Sequence, residues 1–162
     1  MSDKKEEFYT ARGYEISADK DTLTPSMEDY IEMIYRLSIT SGYTRVNDLA
    51  AKLNVQPPSV TRMMKKLHEK NLLDYEKYGM IQLTEEGKRL GSFFLERHNT
   101  LEKFLILLGI KEHVQKEVEQ MEHYVSWESF QVINRFVNFI EDHPEIMEKF
   151  ELYKNKISQE AD

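Results

Sequence analysis

The sequence predicts a mainly α-helical protein that combines an N-terminal winged helix-turn-helix domain with a C-terminal all-helical domain. Three observations lead to this fold class. Apolar residues recur at helical spacing through most of the chain, two short helical segments are joined by a tight turn, and one short stretch alternates apolar and polar residues. With 162 residues, 40% of them hydrophobic, the chain can bury the core of one domain or of two small ones.

The composition excludes several classes of protein. No apolar run approaches the ~18 residues of a membrane span, and the N-terminus lacks the apolar region of a signal peptide, so we expect a cytoplasmic protein with no membrane partner. The chain has no cysteine, which excludes disulfide scaffolds, thiolate zinc sites and cysteine nucleophiles. Any metal ion must therefore be bound by oxygen and imidazole ligands.

The net charge of -7 is unevenly distributed along the chain. Residues 43–90 carry a net charge of +3, whereas residues 1–42 carry -4 and residues 91–162 carry -6. A basic middle segment between acidic segments is compatible with a compact polyanion-binding module joined to an acidic domain.

The predicted elements begin with a helix at Thr24 and Pro25, because threonine is a common N-cap and proline suits the first helical position. Apolar residues then follow on one helix face, and Gly42 is predicted to end the helix. A short helix is predicted from Arg45 to Asn54, and Pro57 begins another after a tight turn. Two short helices in this arrangement are typical of a helix-turn-helix.

The second of these short helices carries a polar and basic face suited to double-stranded DNA. Its candidate DNA-binding residues are Ser59, Thr61, Arg62, Lys65 and Lys66. Two alternating segments then flank Lys77, Tyr78 and Gly79 and predict a β-hairpin with a basic tip, which completes a winged helix. We expect Arg62 to contact a guanine, the helix lysines to contact phosphates, and Lys77 and Tyr78 to contact DNA from the wing. The alternative is a solvated helix face.

Four further helices are predicted after the hairpin. The first is long, is capped by Thr84 and runs to about Leu108; the others cover Lys111 to Val125, Ser126 to Glu141, and Pro144 to about Ile157. The third is strongly apolar for a surface helix, so it either fills a core or forms a subunit interface. Its apolar residues are Phe130, Ile133, Phe136, Val137 and Ile140.

Acidic and histidine side chains form three candidate clusters, which are Asp29 with Glu32, His98 alone, and Glu119 with Glu122 and His123. Each cluster borders a helix face that should pack on other helices. Taken singly, each has an ordinary explanation, because such carboxylates are usually solvated and a histidine in an apolar stripe usually bonds a carbonyl. Together they suit hard or borderline divalent cations, and four carboxylates would balance the charge of two ions. This ligand set favours Mn2+ or Fe2+, while Zn2+, Co2+ or Cd2+ could also bind.

The segment from Thr24 to Glu32, the helix-turn-helix, His98 after the wing, and the segment from Val118 to His123 resemble the diphtheria-toxin-repressor family of metal-dependent transcriptional repressors. The similarity is greatest to the manganese-responsive branch, that of the manganese transport regulators, and it extends over about residues 24–155. The resemblance implies a homodimer that binds operator DNA when manganese occupies a binuclear site, two ions per subunit, and that controls genes of manganese uptake and homeostasis.

The same resemblance implies the metal ligands, which are Asp29, Glu32, His98, Glu119, Glu122 and His123. The iron-responsive branch has methionine at the position of Asp29 and cysteine at that of Glu122, and both differences favour manganese here by ligand hardness.

The chain is accordingly divided into an N-terminal arm (1–23), a winged helix-turn-helix DNA-binding domain (24–90) and a helical metal-binding and dimerisation domain (91–162). A regulator with no organic substrate, rather than an enzyme, is expected. Two other functions stay open, namely a helical di-metal carboxylate oxidoreductase and a winged-helix repressor that senses an organic ligand.

Overall fold

The computed structural model describes residues 23–75 and 79–160. Within them, the helices are α1 (Pro25–Ser38), α2 (Val46–Leu53), α3 (Pro57–Glu69), α4 (Glu85–Leu108), α5 (Val114–Met121), α6 (Trp127–Asp142) and α7 (Pro144–Glu160). The strands are β1 (Thr44–Arg45), β2 (Leu73–Tyr75) and β3 (Met80–Leu83), and a short 3-10 helix, Glu122–Tyr124, joins α5 to α6. The predicted arm at residues 1–22 and the wing residues 76–78, which include Lys77 and Tyr78, lie outside the described residues.

The first three helices and the small sheet form the predicted winged helix-turn-helix. The sheet is antiparallel with strand order β1-β3-β2, and Leu73 of β2 faces Leu83 of β3. The turn after α2 is tight because Asn54 adopts a left-handed conformation (φ 53°) and the Val55 amide donates to the Ala50 carbonyl. The module encloses a core of fully buried apolar side chains, among them Ile31, Ile34, Leu49, Val60, Met64, Leu67, Leu73 and Ile81.

Helix α4 connects this module to the C-terminal helices. The Thr84 hydroxyl accepts a hydrogen bond from the Gly87 amide at its start, and Gly109 (φ 101°) ends it, as the sequence predicts. The predicted domain boundary at residue 90 falls inside this one helix. The module and the C-terminal region are therefore joined by continuous helix rather than by a flexible linker.

The packing of α1 on α4 depends on Gly91. A Cβ atom at this position would lie 2.5 Å from Cβ of Tyr35 and 3.2 Å from the Ile31 carbonyl oxygen, both on α1. Only glycine therefore permits the two helices to approach this closely. The approach also matters for the acidic and histidine clusters, because α1 carries Asp29 and Glu32 and α4 carries His98.

Two predicted helices were wrong in extent, and one strand was missed. Helix α1 ends at Ser38, and Gly42 (φ 79°) lies in the turn that follows. The helix predicted over residues 111–125 is regular only over Val114–Met121, because His113 is left-handed (φ 58°) and the chain tightens into the 3-10 helix at Glu122. Strand β1 was not predicted, since two residues carry no periodicity.

One face of helix α6 is buried in the core, and another face is exposed. Phe130, Val137 and Ile140 are buried, whereas Val132, Phe136 and Phe139 are exposed by 64%, 43% and 47%. On α7, Leu152, Tyr153 and Ile157 are also exposed. The prediction that this helix fills a core is confirmed for one of its faces, and a subunit interface on the other face stays a prediction. Among the described residues, no helix is both long and apolar enough to cross a bilayer.

We expect Gly91→Ala to lower the free energy of unfolding by about 1–3 kcal/mol, because the added methyl group separates α1 from α4 even though alanine favours helix. Urea denaturation monitored by circular dichroism measures the change. Ser92→Ala is the matched control, since Ser92 is exposed on the same helix. Equal stability of Gly91→Ala and the wild type would contradict the close packing.

Candidate metal centre and nucleic-acid interface

The structure brings the six predicted ligand residues together where α1, α4 and the end of α5 meet. Asp29 and Glu32 come from α1, His98 comes from α4, Glu119 comes from α5, and Glu122 and His123 come from the 3-10 helix. His98 is buried on α4 in line with Phe94, Leu101 and Leu105, as its spacing predicts. Three segments far apart in the sequence therefore converge on one position between the winged helix and the helices behind it.

The six side chains form two overlapping groups with the dimensions of metal sites. One group consists of Asp29, Glu119, Glu122 and His123, the other of Glu32, His98 and Glu122, and in each group one ligand atom per residue lies within 4.8 Å of the others. Ligands at about 2.0–2.2 Å from an ion place opposite atoms ~4–4.4 Å apart, so a small adjustment closes either group around a cation.

Glu122 belongs to both groups and is the most deeply buried of the six, with 1% of its side chain exposed. Its Oε2 lies 2.8 Å from Nδ1 of His98, and its Oε1 lies 3.9 Å from Nε2 of His123. The two oxygens of one carboxylate therefore point to different histidines. Glu122 is therefore the residue that would serve both groups if each of them held a cation.

His123 is contacted by carboxylates at both ring nitrogens. Its Nδ1 lies 2.8 Å from Oε2 of Glu28, and its Nε2 lies 3.0 Å from Oδ1 of Asp29. That Asp29 oxygen is buried and has no properly directed hydrogen bond. A buried acceptor without a donor is costly unless another positive group satisfies it, which fits a cation among these residues.

The electrostatics of the site favour protonated imidazoles when no cation is present. The hydrogen bond to Glu122 raises the pKa of His98. Burial by itself lowers the pKa of His123, but the contacts with Asp29 and Glu28 outweigh it and raise that pKa to about 10. Burial also raises the pKa of Glu32, against the hydrogen bond from Arg36. A metal ion at either group would thus take the place of protons.

The chemistry of the donor set fits Mn2+ or Fe2+. The groups offer carboxylate oxygens and imidazole nitrogens, the chain contains no thiolate, and the four carboxylates can neutralise two divalent ions. Glu119, with 47% of its side chain exposed, forms the rim of the first group, whereas Glu122 and His98 are enclosed.

Three further residues, Glu28, Gln115 and Arg36, contact the ligand residues, and Arg97 contacts one of the three; the sequence analysis missed all four. Arg97 donates to Glu28, which also contacts His123; Gln115 contacts His98 and donates to Glu119; Arg36 donates to Glu32. One signal was visible in the sequence. Arg97 falls within the apolar stripe of α4 beside His98, and a charged residue at such a position indicates a buried ion pair.

The candidate DNA-binding residues lie on the outward side of α3. Val60, Met64 and Leu67 face the core, while Arg62, Lys65 and Lys66 are exposed and Ser59 and Thr61 are half-buried. The Thr61 hydroxyl donates to the Pro57 carbonyl within the helix. The helix thus presents a basic face to solvent. Lys77 and Tyr78, the two predicted wing contacts, are not among the described residues.

Two family models match this chain and together cover most of it. Residues 22–81 match the N-terminal DNA-binding domain of the iron-dependent repressors, and residues 84–151 match the metal-binding and dimerisation domain of the same repressors. The two matches meet at the start of α4.

Similar proteins include two named HTH-type transcriptional regulator MntR. The one from Listeria welshimeri serovar 6b is 48% identical over 126 residues, which are 77% of this chain and 89% of the relative. The one from Lysinibacillus sphaericus (strain C3-41) is 44% identical over 134 residues, 82% of this chain and 96% of the relative.

Solved structures of similar fold include that of the manganese regulator SloR, with a TM-score of 0.63 and 32% identity over 72% of this chain and 55% of that one. A manganese-dependent transcriptional repressor in complex with manganese has a TM-score of 0.59 and 27% identity, over 70% of this chain and 53% of the other. This chain spans about half the length of these solved proteins.

The metal-free protein is expected to lose stability between pH 7 and 9. The folded pKa of His123, about 10, exceeds the ~6.5 of an unfolded histidine, so its stabilising contribution is complete below about pH 6.5 and is lost as the pH rises through about 10. The slope approaches ~1.4 kcal/mol per pH unit for one proton. Urea unfolding in the presence of a chelator, repeated at several pH values, measures this slope.

His123→Gln removes the titrating group and should flatten this slope, whereas His143→Gln, at a histidine outside the cluster, should not. Parallel slopes in the wild type and His123→Gln would contradict the assignment of the pH dependence to His123.

Proposed function

The chain belongs to the iron-dependent repressor family, and from this premise we propose that it represses transcription as a homodimer when two Mn2+ ions occupy each subunit. It is a metal-dependent transcriptional regulator with a DNA-binding domain and a dimerisation domain, and not an enzyme. The oxidoreductase alternative is thereby set aside. The proposal concerns the metal, its stoichiometry, the ligands, the DNA contacts and the dimer surface.

The observation that carries the binuclear site is the position of Glu122. Its buried carboxylate belongs to both ligand groups, and each of its oxygens is directed to a different histidine. We assign Asp29, Glu119, Glu122 and His123 to one ion, and Glu32, His98 and Glu122 to the other.

Manganese is favoured among the candidate metals by the ligands and by the relatives. Hard carboxylate oxygens predominate, and the softer ligands that favour zinc or copper are missing from the two groups. The similar solved proteins include a manganese regulator and a repressor in complex with manganese. Fe2+, Zn2+, Co2+ and Cd2+ are the alternatives, because affinity alone discriminates poorly among divalent metals.

The position of the site explains how metal could control DNA binding. Asp29 and Glu32 lie on α1, whose Ile31 and Ile34 belong to the core of the winged helix, whereas the other four ligands lie behind the module. Without cations, the clustered carboxylates repel one another across this junction. Once neutralised, they tie α1 to α4 and α5 and restrict the orientations of α3. By linkage, DNA must tighten metal binding by the same factor, typically ~1–3 kcal/mol.

The DNA interface is proposed to consist of the outward face of α3 together with the wing. Arg62 suits the acceptor pair of a guanine, Lys65 and Lys66 suit phosphates, and Ser59, Thr61, Lys77 and Tyr78 complete the surface. In a dimer, two α3 helices would enter successive major grooves ~34 Å apart. The exposed apolar side chains of α6 and α7 are the surface that we assign to the dimer. The regulator is proposed to act in the cytoplasm on genes of manganese uptake.

Substitutions at Glu122, which belongs to both ligand groups, and at Glu32, which belongs to one, should distinguish the binding of the two ions. By titration calorimetry we expect the wild type to bind two Mn2+ per chain and Glu32→Gln to bind one. Glu122→Gln should bind neither ion at concentrations that saturate the wild type, since it removes a ligand and a charge from both groups. DNA binding is measured by fluorescence anisotropy on a duplex that was selected for binding to the wild type in Mn2+. In Mn2+, Glu122→Gln should bind this duplex as weakly as the wild type does in chelator.

Glu117→Gln is the matched control, because Glu117 is an exposed carboxylate on the same helix as Glu119. It should retain both ions and metal-dependent DNA binding. Binding of one Mn2+ per wild-type chain, or DNA binding by the wild type that is equally tight in chelator, would contradict the proposal. A stronger response to Zn2+ or Fe2+ than to Mn2+ would contradict the choice of metal.

Lys65→Ala should weaken binding to every DNA sequence alike and reduce the slope of log affinity against log salt by about one unit, because a phosphate contact releases a counterion. Arg62→Ala should instead cost about 1–3 kcal/mol on the selected duplex and little on unrelated DNA. Anisotropy titrations at several salt concentrations measure both. Lys116→Ala, an exposed lysine on α5, serves as the control. A loss confined to the selected duplex would contradict the phosphate role of Lys65.

A further inference from the structure

Two charged side chains outside the ligand groups, Glu28 and Arg97, adjoin the candidate ligand His123. Oε2 of Glu28 lies 2.6 Å from Nη2 of Arg97 and 2.8 Å from Nδ1 of His123. Arg97 is enclosed, with 5% of its side chain exposed, and its guanidinium lies over the rings of Phe93 and Phe94. One carboxylate oxygen thus joins α1, α4 and the 3-10 helix.

The contact with Glu28 determines which nitrogen of His123 is available to a cation. A neutral imidazole carries its proton on one nitrogen and a lone pair on the other. The Arg97 guanidinium has only donors and an ionised carboxylate has only acceptors, so Oε2 of Glu28 accepts one hydrogen bond from Arg97 and another from the Nδ1–H of His123. The lone pair is then left on Nε2, the nitrogen 3.0 Å from the buried Oδ1 of Asp29.

We propose that Glu28, oriented by Arg97, is a positioning residue that fixes the His123 tautomer with Nε2 directed to the metal. Metal-binding histidines commonly donate their second ring N–H to a carboxylate, and loss of that partner typically weakens metal binding 10–100-fold. The inference rests on the proposed function, because it assigns a partner to one ligand of the proposed site.

Oε2 of Glu28 contacts both Arg97 and His123, and this distinguishes the positioning role from that of a purely structural ion pair. An ion pair between α1 and α4 would need Arg97 and Glu28 alone. Here the same oxygen also meets the imidazole that a third element supplies, one residue away from Glu122. Arg97 and Glu28 each precede a proposed ligand in the chain, His98 and Asp29, so their ion pair links the two helices that carry those ligands.

The direct test needs no substitution. In wild-type protein loaded with diamagnetic Zn2+ or Cd2+ and labelled with 15N at histidine, long-range 1H–15N correlation spectra distinguish a protonated Nδ1 from a metal-bound one. We expect His123 to be protonated at Nδ1 and metal-bound at Nε2. Metal bound through Nδ1 would overturn the proposal.

The second test compares Glu28→Gln with Glu141→Gln by Mn2+ titration calorimetry. Both substitutions remove an ion pair between α4 and another helix, since Glu141 on α6 contacts Lys103 2.7 Å away, but only Glu28 contacts His123. We expect Glu28→Gln to bind the same number of ions with a dissociation constant raised about 10–100-fold, and Glu141→Gln to match the wild type. Urea unfolding of the metal-free variants shows whether each is folded under the titration conditions.

A dissociation constant of Glu28→Gln within twofold of the wild type would overturn the positioning role. That result leaves the proposed function in place, provided that the wild type binds two Mn2+ ions and binds DNA in a manganese-dependent way. If the wild type itself binds no Mn2+, the proposed function fails together with the inference. A Glu28→Gln protein that fails to fold leaves the wild-type NMR experiment as the deciding measurement.

Discussion

The buried carboxylate of Glu122 is the constraint on which the rest of the site depends. A carboxylate removed from water needs positive or hydrogen-bonding partners, and here His98 faces one of its oxygens and His123 the other. The raised pKa values of both histidines follow from such contacts with carboxylates. Cations and imidazole protons would therefore compete at this site, since both compensate the same negative charges.

Helix α1 links this chemistry to the DNA-binding surface because it serves two structures at once. One side of it fills the core of the winged helix, and its first two turns supply carboxylates to the metal groups. Gly91 allows α4 to pack directly against it. In the proposed function, a change in charge at the junction acts on the module through these packed helices, and restricting their motion suffices without a large change of shape.

The division of charge and apolar surface along the chain matches this arrangement. The positive excess lies in residues 43–90, which include α3, whereas the acidic residues 91–162 include Glu119 and Glu122 of the candidate metal centre. Exposed apolar side chains are prominent on α6 and α7, the last two helices of the C-terminal region. The surfaces proposed for DNA, metal and a second subunit are thus distinct, and each has the chemical character of its ligand.

The sequence by itself determined the element types apart from β1, and it singled out the six candidate ligand residues through their clusters and through the family resemblance. Helical periodicity, the Thr24 and Thr84 caps and the alternation around Gly79 are local signals, and carboxylates with imidazoles limit the metal by their own chemistry. The partners of those ligands were decided only by the tertiary structure. The sharing of Glu122, and the contacts of Glu28 with Arg97 and His123, join residues 24–95 positions apart. Such contacts depend on the relative placement of packed helices, which a periodic pattern does not contain, because periodicity records only which face of each helix is buried.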